Sequence, residues 1–247
     1  MIKYNHIEQT HNKLAASLIL PAVINFVLPK SVVDVGCGTG SFLSVLKDLG
    51  FTDLLGVEGD WLDRSRLYVE SEIVKTADLQ KPFTHHRKFD LAICLEVAEH
   101  LEADSADTIV ETLTGLSDVI LFSAAIPGQG GQNHINEQWS QYWVDKFKAR
   151  GYSFYDSVRM LFWNNANVDY WYKQNMFLVI KDGTNNFGLA KELTPNDLVH
   201  PELFNLIVHS KNESYHQYIR LAWGEEPIGK YMRLLVKSIL KRLGLVR

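Results

Sequence analysis

The chain has 247 residues, of which 46% are hydrophobic and 22% are charged, and its formal net charge is −4. This size and composition suit one α/β domain with additions, and the slight acidic excess argues against a nucleic-acid partner. Cys37 and Cys94 have neither disulfide-type nor metal-type spacing, which fits a reducing compartment. With no signal-peptide pattern and no apolar run as long as a membrane span, we expect a cytoplasmic protein.

The first predicted element is a helix from Ile7 to Val27, because its apolar residues recur three and four positions apart. Pro21 is expected to kink or divide this helix. Pro29 ends it. We therefore assign residues 1–29 to an N-terminal helical cap that would lie over the loop that follows.

A strand, a glycine-rich turn and a helix come next in direct succession. The β-branched run Val32 to Val35 predicts a buried parallel strand, and helical apolar spacing from Phe42 to Leu49 predicts a helix. Between them lie three alternating glycines, Gly36, Gly38 and Gly40. Glycine tolerates positive φ and lets a ligand approach the backbone closely. The alternative is a tight strand–helix turn that binds nothing.

The spacing of these glycines, together with an acidic neighbour, narrows the class of ligand. The pattern is G-x-G-x-G, whereas dinucleotide-binding turns show G-x-G-x-x-G. Asp34 precedes the turn by two residues. A carboxylate there would repel a phosphate and would suit an ammonium group. These features disfavour a dehydrogenase.

The second strand, Leu54 to Val57, ends at Glu58, which lies 18 residues after Gly40. In α/β nucleoside sites, an acidic residue at about this place takes the ribose hydroxyls. A helix N-terminal carboxylate is the alternative for Glu58. Trp61 follows and is a candidate for packing on a purine face. A short third strand around 73–77 precedes Asp78 and Leu79.

Further alternation of strands and helices predicts the rest of the sheet. Strands are predicted at Phe89–Leu95, Val119–Phe122, Tyr152–Leu161 and Asn175–Lys181, with helices at Ser105–Leu116 and from Trp139 to near Gly151. The fold class is therefore α/β, with a doubly wound, seven-stranded, mostly parallel sheet and helical N- and C-terminal additions. We place its main domain at 30–182 and a C-terminal extension at 183–247.

In this order and at these intervals, the motifs resemble those of the Rossmann-like class I S-adenosylmethionine (SAM)-dependent methyltransferases over roughly residues 30–181. In that family an Asp at the place of Asp78 usually accepts a hydrogen bond from the adenine amino group. The resemblance implies a SAM site formed by Asp34, Gly36, Cys37, Gly38, Gly40, Glu58, Gly59, Trp61, Asp78, Leu79 and Glu96.

A looser resemblance concerns the acceptor. The segments 130–139, 171–175 and 200–201 are similar to bacterial methyltransferases of surface-polysaccharide or other glycan biosynthesis. This similarity implies methyl transfer to a hydroxyl of a sugar or glycan precursor. Trp163, Trp171 and Tyr172 are candidates to line the acceptor site, although core packing is the alternative for each.

The sequence Glu96-x-x-Glu99-His100 resembles a motif of two groups of metal-dependent O-methyltransferases, which act on quinone precursors and on RNA 3′ ends. The resemblance implies a divalent ion (Mg²⁺, Mn²⁺ or Zn²⁺) held by Glu96, Glu99, His100 and His134. Many class I enzymes carry a similar motif without metal. In that case His134 is the preferred general base, with His100 and Glu99 as further catalytic candidates. A structural His134, bonded to a backbone carbonyl, is the alternative.

The last twenty residues differ from the rest of the chain. From 228 onwards, apolar residues form a helical stripe, and the charged residues are all basic. A basic amphipathic helix can lie on an anionic membrane surface, which would suit an acceptor carried on a lipid. Packing against the domain or in a homodimer is the alternative. For the whole chain, the rival to an enzyme is a SAM-binding partner subunit without catalysis.

Overall fold

The computed structural model describes residues 13–184, 187–189 and 197–245. Within these residues the chain forms eight α-helices and seven β-strands. The strands are β1 Ser31–Val35, β2 Asp53–Glu58, β3 Val74–Thr76, β4 Leu91–Leu95, β5 Val119–Ser123, β6 Tyr152–Tyr155 and β7 Phe177–Lys181. The helices are α1 Leu14–Val27, α2 Ser41–Asp48, α3 Ala106–Leu116, α4 Ser140–Lys148, α5 Arg159–Phe162, α6 Tyr170–Asn175, α7 Pro201–Ala222 and α8 Ile228–Arg242.

The described strands form one sheet in the order β3-β2-β1-β4-β5-β7-β6. The first five strands in chain order pair in parallel, and β7 runs antiparallel to both β5 and β6. The predicted seven-stranded, mostly parallel sheet is confirmed. The direction of strand order reverses between β1 and β4, and in such sheets ligands bind in the crevice outside the carboxyl ends of the strands at that point.

Apolar side chains cover both faces of the sheet, as expected for strands buried on two sides. Val33 and Val35 pack with α3 and α4 on one face. Val32 packs with α1 and α2 on the other. The alternation of β1 side chains between the two faces therefore fixes the strand tightly, and it fixes the turn that follows as well.

Helix α1 runs continuously through Pro21, so of the predicted kink or division the division does not occur. Proline removes one backbone donor from the helix. The flanking side chains of Ile19, Leu20 and Val23 are fully buried, and this burial offsets the lost hydrogen bond. The start predicted at Ile7 lies outside the described residues.

The strand predicted over Tyr152–Leu161 is wrong in its second half. Strand β6 ends at Tyr155, and Arg159 begins the short helix α5. The Arg159 guanidinium is 1% exposed, forms a bidentate pair with Asp156, donates to the Gln174 carbonyl and lies over the ring of Phe177. These contacts of the buried Arg159 side chain hold the chain in helix α5, and the strand therefore ends before it.

The chain divides into two compact units, Met1–His200 and Pro201–Arg247. The second unit contains α7, which the sequence analysis did not predict, and α8, which it did. The Tyr231 hydroxyl of α8 lies 3.2 Å from the Arg220 carbonyl and 3.0 Å from the Leu221 carbonyl, at the end of α7. No helix among the described residues is long and apolar enough to cross a bilayer.

The buried Arg159–Asp156 pair gives a direct test of the fold. Replacing Asp156 with Ala leaves a buried guanidinium without its carboxylate, and we expect the free energy of unfolding to fall by about 3–5 kcal/mol in denaturant titrations. Glu111→Ala, which removes the exposed partner of Arg150, is the matched control and is expected to cost at most about 1 kcal/mol. Equal losses in the two variants would contradict the structural role assigned to Arg159.

Candidate active site

A cavity of about 440 Å³ opens at the carboxyl ends of β1, β2 and β4. Such a volume is typical of small-ligand sites. Its wall includes most of the residues predicted for SAM or catalysis: Asp34, Gly36, Cys37, Gly38, Glu58, Trp61, Asp78, Leu79, Glu96, His100 and His134. Among the described residues, the predicted Gly40, Gly59 and Glu99 are not part of this wall.

Close packing requires glycine in the turn after β1. Gly36 has φ +77°, and a Cβ there would lie 2.4 Å from a methyl carbon of Val97. Its amide N–H and that of Cys37 both donate to the Val57 carbonyl, at 2.8 and 3.2 Å. A side chain at residue 36 would therefore push apart the turns that follow β1 and β4. Gly40, which caps α2, contributes through its positive φ rather than by lining the cavity.

Glu58, at the end of β2, stabilises the same turn through hydrogen bonds. One carboxylate oxygen accepts the amide N–H of Gly38 and the other accepts that of Gly59, each at 2.7 Å. Each oxygen retains acceptor capacity for a ligand hydroxyl. Burial raises the pKa of this carboxyl, and the backbone donors oppose that rise. Trp61 packs directly on Gly59, so its ring lies beside the carboxylate.

Asp34 is buried in the cavity wall, and desolvation raises its pKa to about 8, with a further contribution from Glu58. A carboxyl in this position is neutral at pH 7 unless a cation arrives. Asp78, at the end of β3, is partly exposed and accepts from the Gln80 amide while pairing with Lys81. The two acids therefore differ sharply in environment.

Glu96 has the strained backbone angle φ +54° and lies directly after β4. Its two carboxylate oxygens accept from the side-chain amides of Gln129 and Asn175, at 2.7 and 3.1 Å. Asn175 also donates to Gln129, and Gln174 donates to both of these amides. Burial raises the pKa of Glu96. This amide network was not foreseen from the sequence, because its members come from three distant segments.

The segments after β4 and β5 meet through the backbone of Glu99. Its carbonyl accepts the amide N–H groups of Ile135 and Asn136, at 2.9 and 3.0 Å. These two hydrogen bonds hold the segments together, and the rings of His100 and His134 lie edge to face with centroids 4.8 Å apart. The sequence predicted both histidines as site residues, and the structure brings them together.

One potential ligand atom from each of Glu99, His100 and His134 lies within 4.8 Å of the other two. Glu99 is fully buried, and neither of its carboxylate oxygens has a hydrogen-bond partner of normal geometry among the described residues. Burial raises the pKa of this carboxyl well above its usual range, and Glu96 raises it further. Glu96, which the sequence also predicted as a metal ligand, is engaged by amides instead.

Glu137 is a site residue that the sequence analysis missed. One of its carboxylate oxygens lies 2.9 Å from His134 Nδ1 and accepts the Gly130 amide, and the other accepts the Gly128 amide. The contact leaves Nε2 as the His134 nitrogen open to other partners. A Cβ at Gly131 would lie 2.2 Å from that Nε2, so glycine is needed for the ring to fit. The three-residue spacing of His134 and Glu137 was the available signal.

The aromatic residues proposed for an acceptor site divide into two groups. Trp171 and Tyr172 line the cavity together with Tyr170. Trp163 does not line it. The Trp163 ring packs on His200, and its carbonyl lies 2.8 Å from His200 Nε2. Trp163 is half-buried against His200 and not in the wall of this cavity, so its place in an acceptor site stays a prediction.

Acidic side chains line the cavity without basic counterparts from lysine or arginine among the described residues. Asp34, Glu58, Asp78 and Glu96 line it, whereas no lysine or arginine does among the residues that the structure describes. A phosphate-rich ligand would meet repulsion here. A cationic ligand would instead be stabilised by several carboxylates in a low-dielectric setting.

Replacing Asp34 with Asn is expected to stabilise the ligand-free protein increasingly as pH rises from about 4 to about 8. The folded state keeps the Asp34 proton up to about pH 8, whereas the unfolded chain releases it near 3.8. The wild-type free energy of unfolding therefore falls with rising pH in this window, and the Asn variant lacks that loss. Thermal unfolding followed across this pH range measures the difference.

The control for this prediction is Asp104→Asn, which changes an exposed carboxyl. Its melting temperature is expected to track the wild type at every pH. A difference in melting temperature between Asp34→Asn and the wild type that stays constant with pH would contradict the assigned protonation state of Asp34.

Comparison with known proteins places this geometry in a family. A model of the methyltransferase domain matches residues 4–166. A search of curated proteins finds no match. Two solved structures that share the fold are DesVI of Streptomyces venezuelae and the sugar N-methyltransferase KedS8 of a Streptoalloteichus species. DesVI has a TM-score of 0.54 at 14% identity, covering 68% of this chain and 91% of its own. KedS8 has a TM-score of 0.52 at 14% identity, and the match covers 73% of this chain and 96% of KedS8.

The methyltransferase domain of the bacterial protein CtHen1 is also similar, with a TM-score of 0.50 at 19% identity, over 68% of this chain and 97% of that one. At these identities the likeness concerns the fold. The family match, by contrast, spans most of the chain and includes the glycine turn and the Glu96–His100 segment. The chain belongs to the methyltransferase domain family and is a SAM-dependent methyltransferase of the class I fold.

Proposed function

We propose that this methyltransferase transfers its methyl group to an acceptor hydroxyl on a sugar or other glycan precursor. The observation that carries the proposal is that His134, in the wall of the cavity that Asp34 and Glu58 also line, pairs with Glu137. A carboxylate that fixes an imidazole in one orientation is a recurring arrangement for removing a proton from a hydroxyl.

SAM supplies a methyl group on a positively charged sulfur, and the protein must align that methyl with the incoming oxygen. The Gly36–Gly38 turn offers close approach to the backbone. In this proposal Glu58 would bind the ribose hydroxyls, and Asp34 the ammonium group. Because burial keeps Asp34 neutral without a cation, its ionisation and the binding of a cationic ligand favour each other.

His134 would take the acceptor proton on Nε2, since Nδ1 faces Glu137. The Glu137 carboxylate would then stabilise the imidazolium, as well as holding the Gly128–Gly130 segment in place. Glu99 does not touch the cavity, so its role is not direct proton transfer. Its burial beneath the two histidines suits a positioning role or metal ligation.

The residues that line the cavity support this choice of acceptor class. Aromatic faces from α6 and the amide of Gln129 suit the apolar faces and hydroxyls of a sugar. The lack of lysine and arginine among the described lining residues disfavours a phosphate inside the cavity. We therefore expect the part of the acceptor that enters to be uncharged, with any phosphate outside.

A second candidate function is a divalent-metal-assisted O-methyl transfer to a quinone, a catechol or an RNA 3′ end. The specific observation in its favour is the buried Glu99 beside two imidazoles, since its carboxyl oxygens have no hydrogen-bond partner of normal geometry among the described residues. Such a donor set fits a divalent ion, with Glu99, His100 and His134 as ligands and Glu137 orienting His134 from behind. The ion would lower the pKa of the acceptor hydroxyl.

The proposed base is tested by comparing His134→Ala and Glu137→Gln with the wild type. We expect kcat to fall roughly 10²–10⁴-fold for His134→Ala, the range for losing a general base, while the SAM dissociation constant stays within a few-fold. Glu137→Gln should lower kcat less and shift the pH–rate profile, because it keeps a hydrogen-bond acceptor but removes the charge. Labelled SAM with a panel of unphosphorylated and phosphorylated sugars provides the assay.

His209→Ala, an exposed histidine of α7, is the matched control and should leave both parameters unchanged. SAM binding by the wild type without turnover of any acceptor would favour the non-catalytic partner instead. Undiminished turnover by His134→Ala would reject His134 as the base.

The metal candidate is decided by stripping the protein with a chelator. If the ion takes part, turnover should vanish and return with Mg²⁺, Mn²⁺ or Zn²⁺, and calorimetry should show ion binding that Glu99→Gln abolishes. Glu102→Gln, an exposed carboxyl three residues away, is the control. Full activity of the stripped protein, with no ion binding, would eliminate this candidate and leave His134 with Glu137.

A further inference from the structure

The second compact unit exposes large apolar side chains along both of its helices. On α8, Ile228, Met232, Leu235 and Ile239 are 81%, 54%, 55% and 47% exposed. Their spacing of three, four and seven places them on one face of the helix. Val236 and Leu243 extend the same face, at 50% and 66% exposure. Continuous apolar faces of this kind mark interaction surfaces.

The opposite face of α8 is cationic. Lys230, Arg233, Lys237 and Lys241 follow the same helical spacing, half a turn away from the apolar residues. Lys230 pairs with Glu226 in the turn before the helix. Arg233, Lys237 and Lys241 have no acidic partner within the part of the chain that the structure describes. Helix α8 itself contains no Asp or Glu.

Helix α7 adds aromatic side chains to this unit. Phe204, Ile207, Tyr215 and Tyr218 recur at helical spacing and are 59%, 41%, 60% and 66% exposed. Trp223, directly after the helix, is 76% exposed. Tyrosine and tryptophan are enriched where a membrane meets water, because each has an apolar body with a polar group at one end.

We infer that the α7–α8 unit docks on an anionic lipid surface, with the apolar face of α8 lying in the headgroup–acyl boundary. The charge pattern selects this occupant. A basic amphipathic helix gains both from burying its apolar face in lipid and from attraction to anionic headgroups. This surface function goes beyond the methyl-transfer chemistry and does not depend on it.

A second copy of the chain is a poorer match for the same face. Pairing α8 with α8 would bring together two helices that each carry several cations and no acid. The cations would lie on the outer faces of such a pair, where no acidic stripe of the helix compensates their charge. An anionic bilayer supplies the missing charge.

The test is co-sedimentation of the full chain with vesicles of phosphatidylcholine alone or mixed with phosphatidylglycerol. We expect binding to the mixed vesicles that weakens as NaCl is raised. Lys237→Glu with Lys241→Glu should reduce the partition coefficient by at least roughly 20-fold, since each cation near an anionic surface contributes about 1 kcal/mol. Met232→Gln with Ile239→Gln should also abolish most binding, by removing apolar area.

Matched controls come from exposed residues of the first unit. Lys75→Glu with Lys148→Glu makes the same change in net charge, and Leu49→Gln with Met160→Gln removes similar exposed apolar groups. Both are expected to bind vesicles like the wild type, and SAM binding checks that every variant is folded. Equal binding to the two vesicle types would overturn the inference. A dimer in sedimentation that Met232→Gln with Ile239→Gln dissociates, without vesicle binding, would also overturn it.

Discussion

The site depends on one physical constraint, which is the burial of four carboxyl groups where β1, β2 and β4 end. Asp34, Glu58, Glu96 and Glu99 all have raised pKa values, with desolvation as the largest cause. Among the described residues that line the cavity, no lysine or arginine offsets this cost. Backbone and side-chain amides hold Glu58 and Glu96, whereas neither carboxyl oxygen of Glu99 has a hydrogen-bond partner of normal geometry among the described residues. Such a site is poised for positive charge that arrives with a ligand, and SAM carries it on its sulfonium and ammonium groups.

The same constraint organises the segments around the cavity. The Glu99 carbonyl fixes the segment that carries His134, and Glu137 fixes the ring itself together with the preceding glycines. Gly36 and Gly131 are the positions where a side chain would collide with these arrangements. Precise placement of the acceptor against the methyl group thus relies on backbone contacts between loops, which tolerate little displacement.

Much of this could be predicted from the sequence, because the signals were local. The β-branched run before Gly36, the acid after β2 and the alternation of strands and helices located the sheet and the SAM end of the cavity. What the sequence could not provide were contacts between distant segments. The pairing of Asn175 with Glu96 spans 79 positions, and no periodicity foreshadows it. The strand predicted through Leu161 failed for a similar reason, since a buried Arg159 needed Asp156 and the Gln174 carbonyl as partners.

The measurement that tests the central claim most directly is the number of protons released when SAM binds. Calorimetry at pH 7 in buffers of different ionisation enthalpy reports how many protons leave when the ligand binds. If Asp34 is neutral in the free protein and ionises for the cationic ligand, wild-type binding should release protons, and Asp34→Asn should release fewer. A binding enthalpy that is independent of the buffer, in wild type and variant alike, would contradict this account of the site.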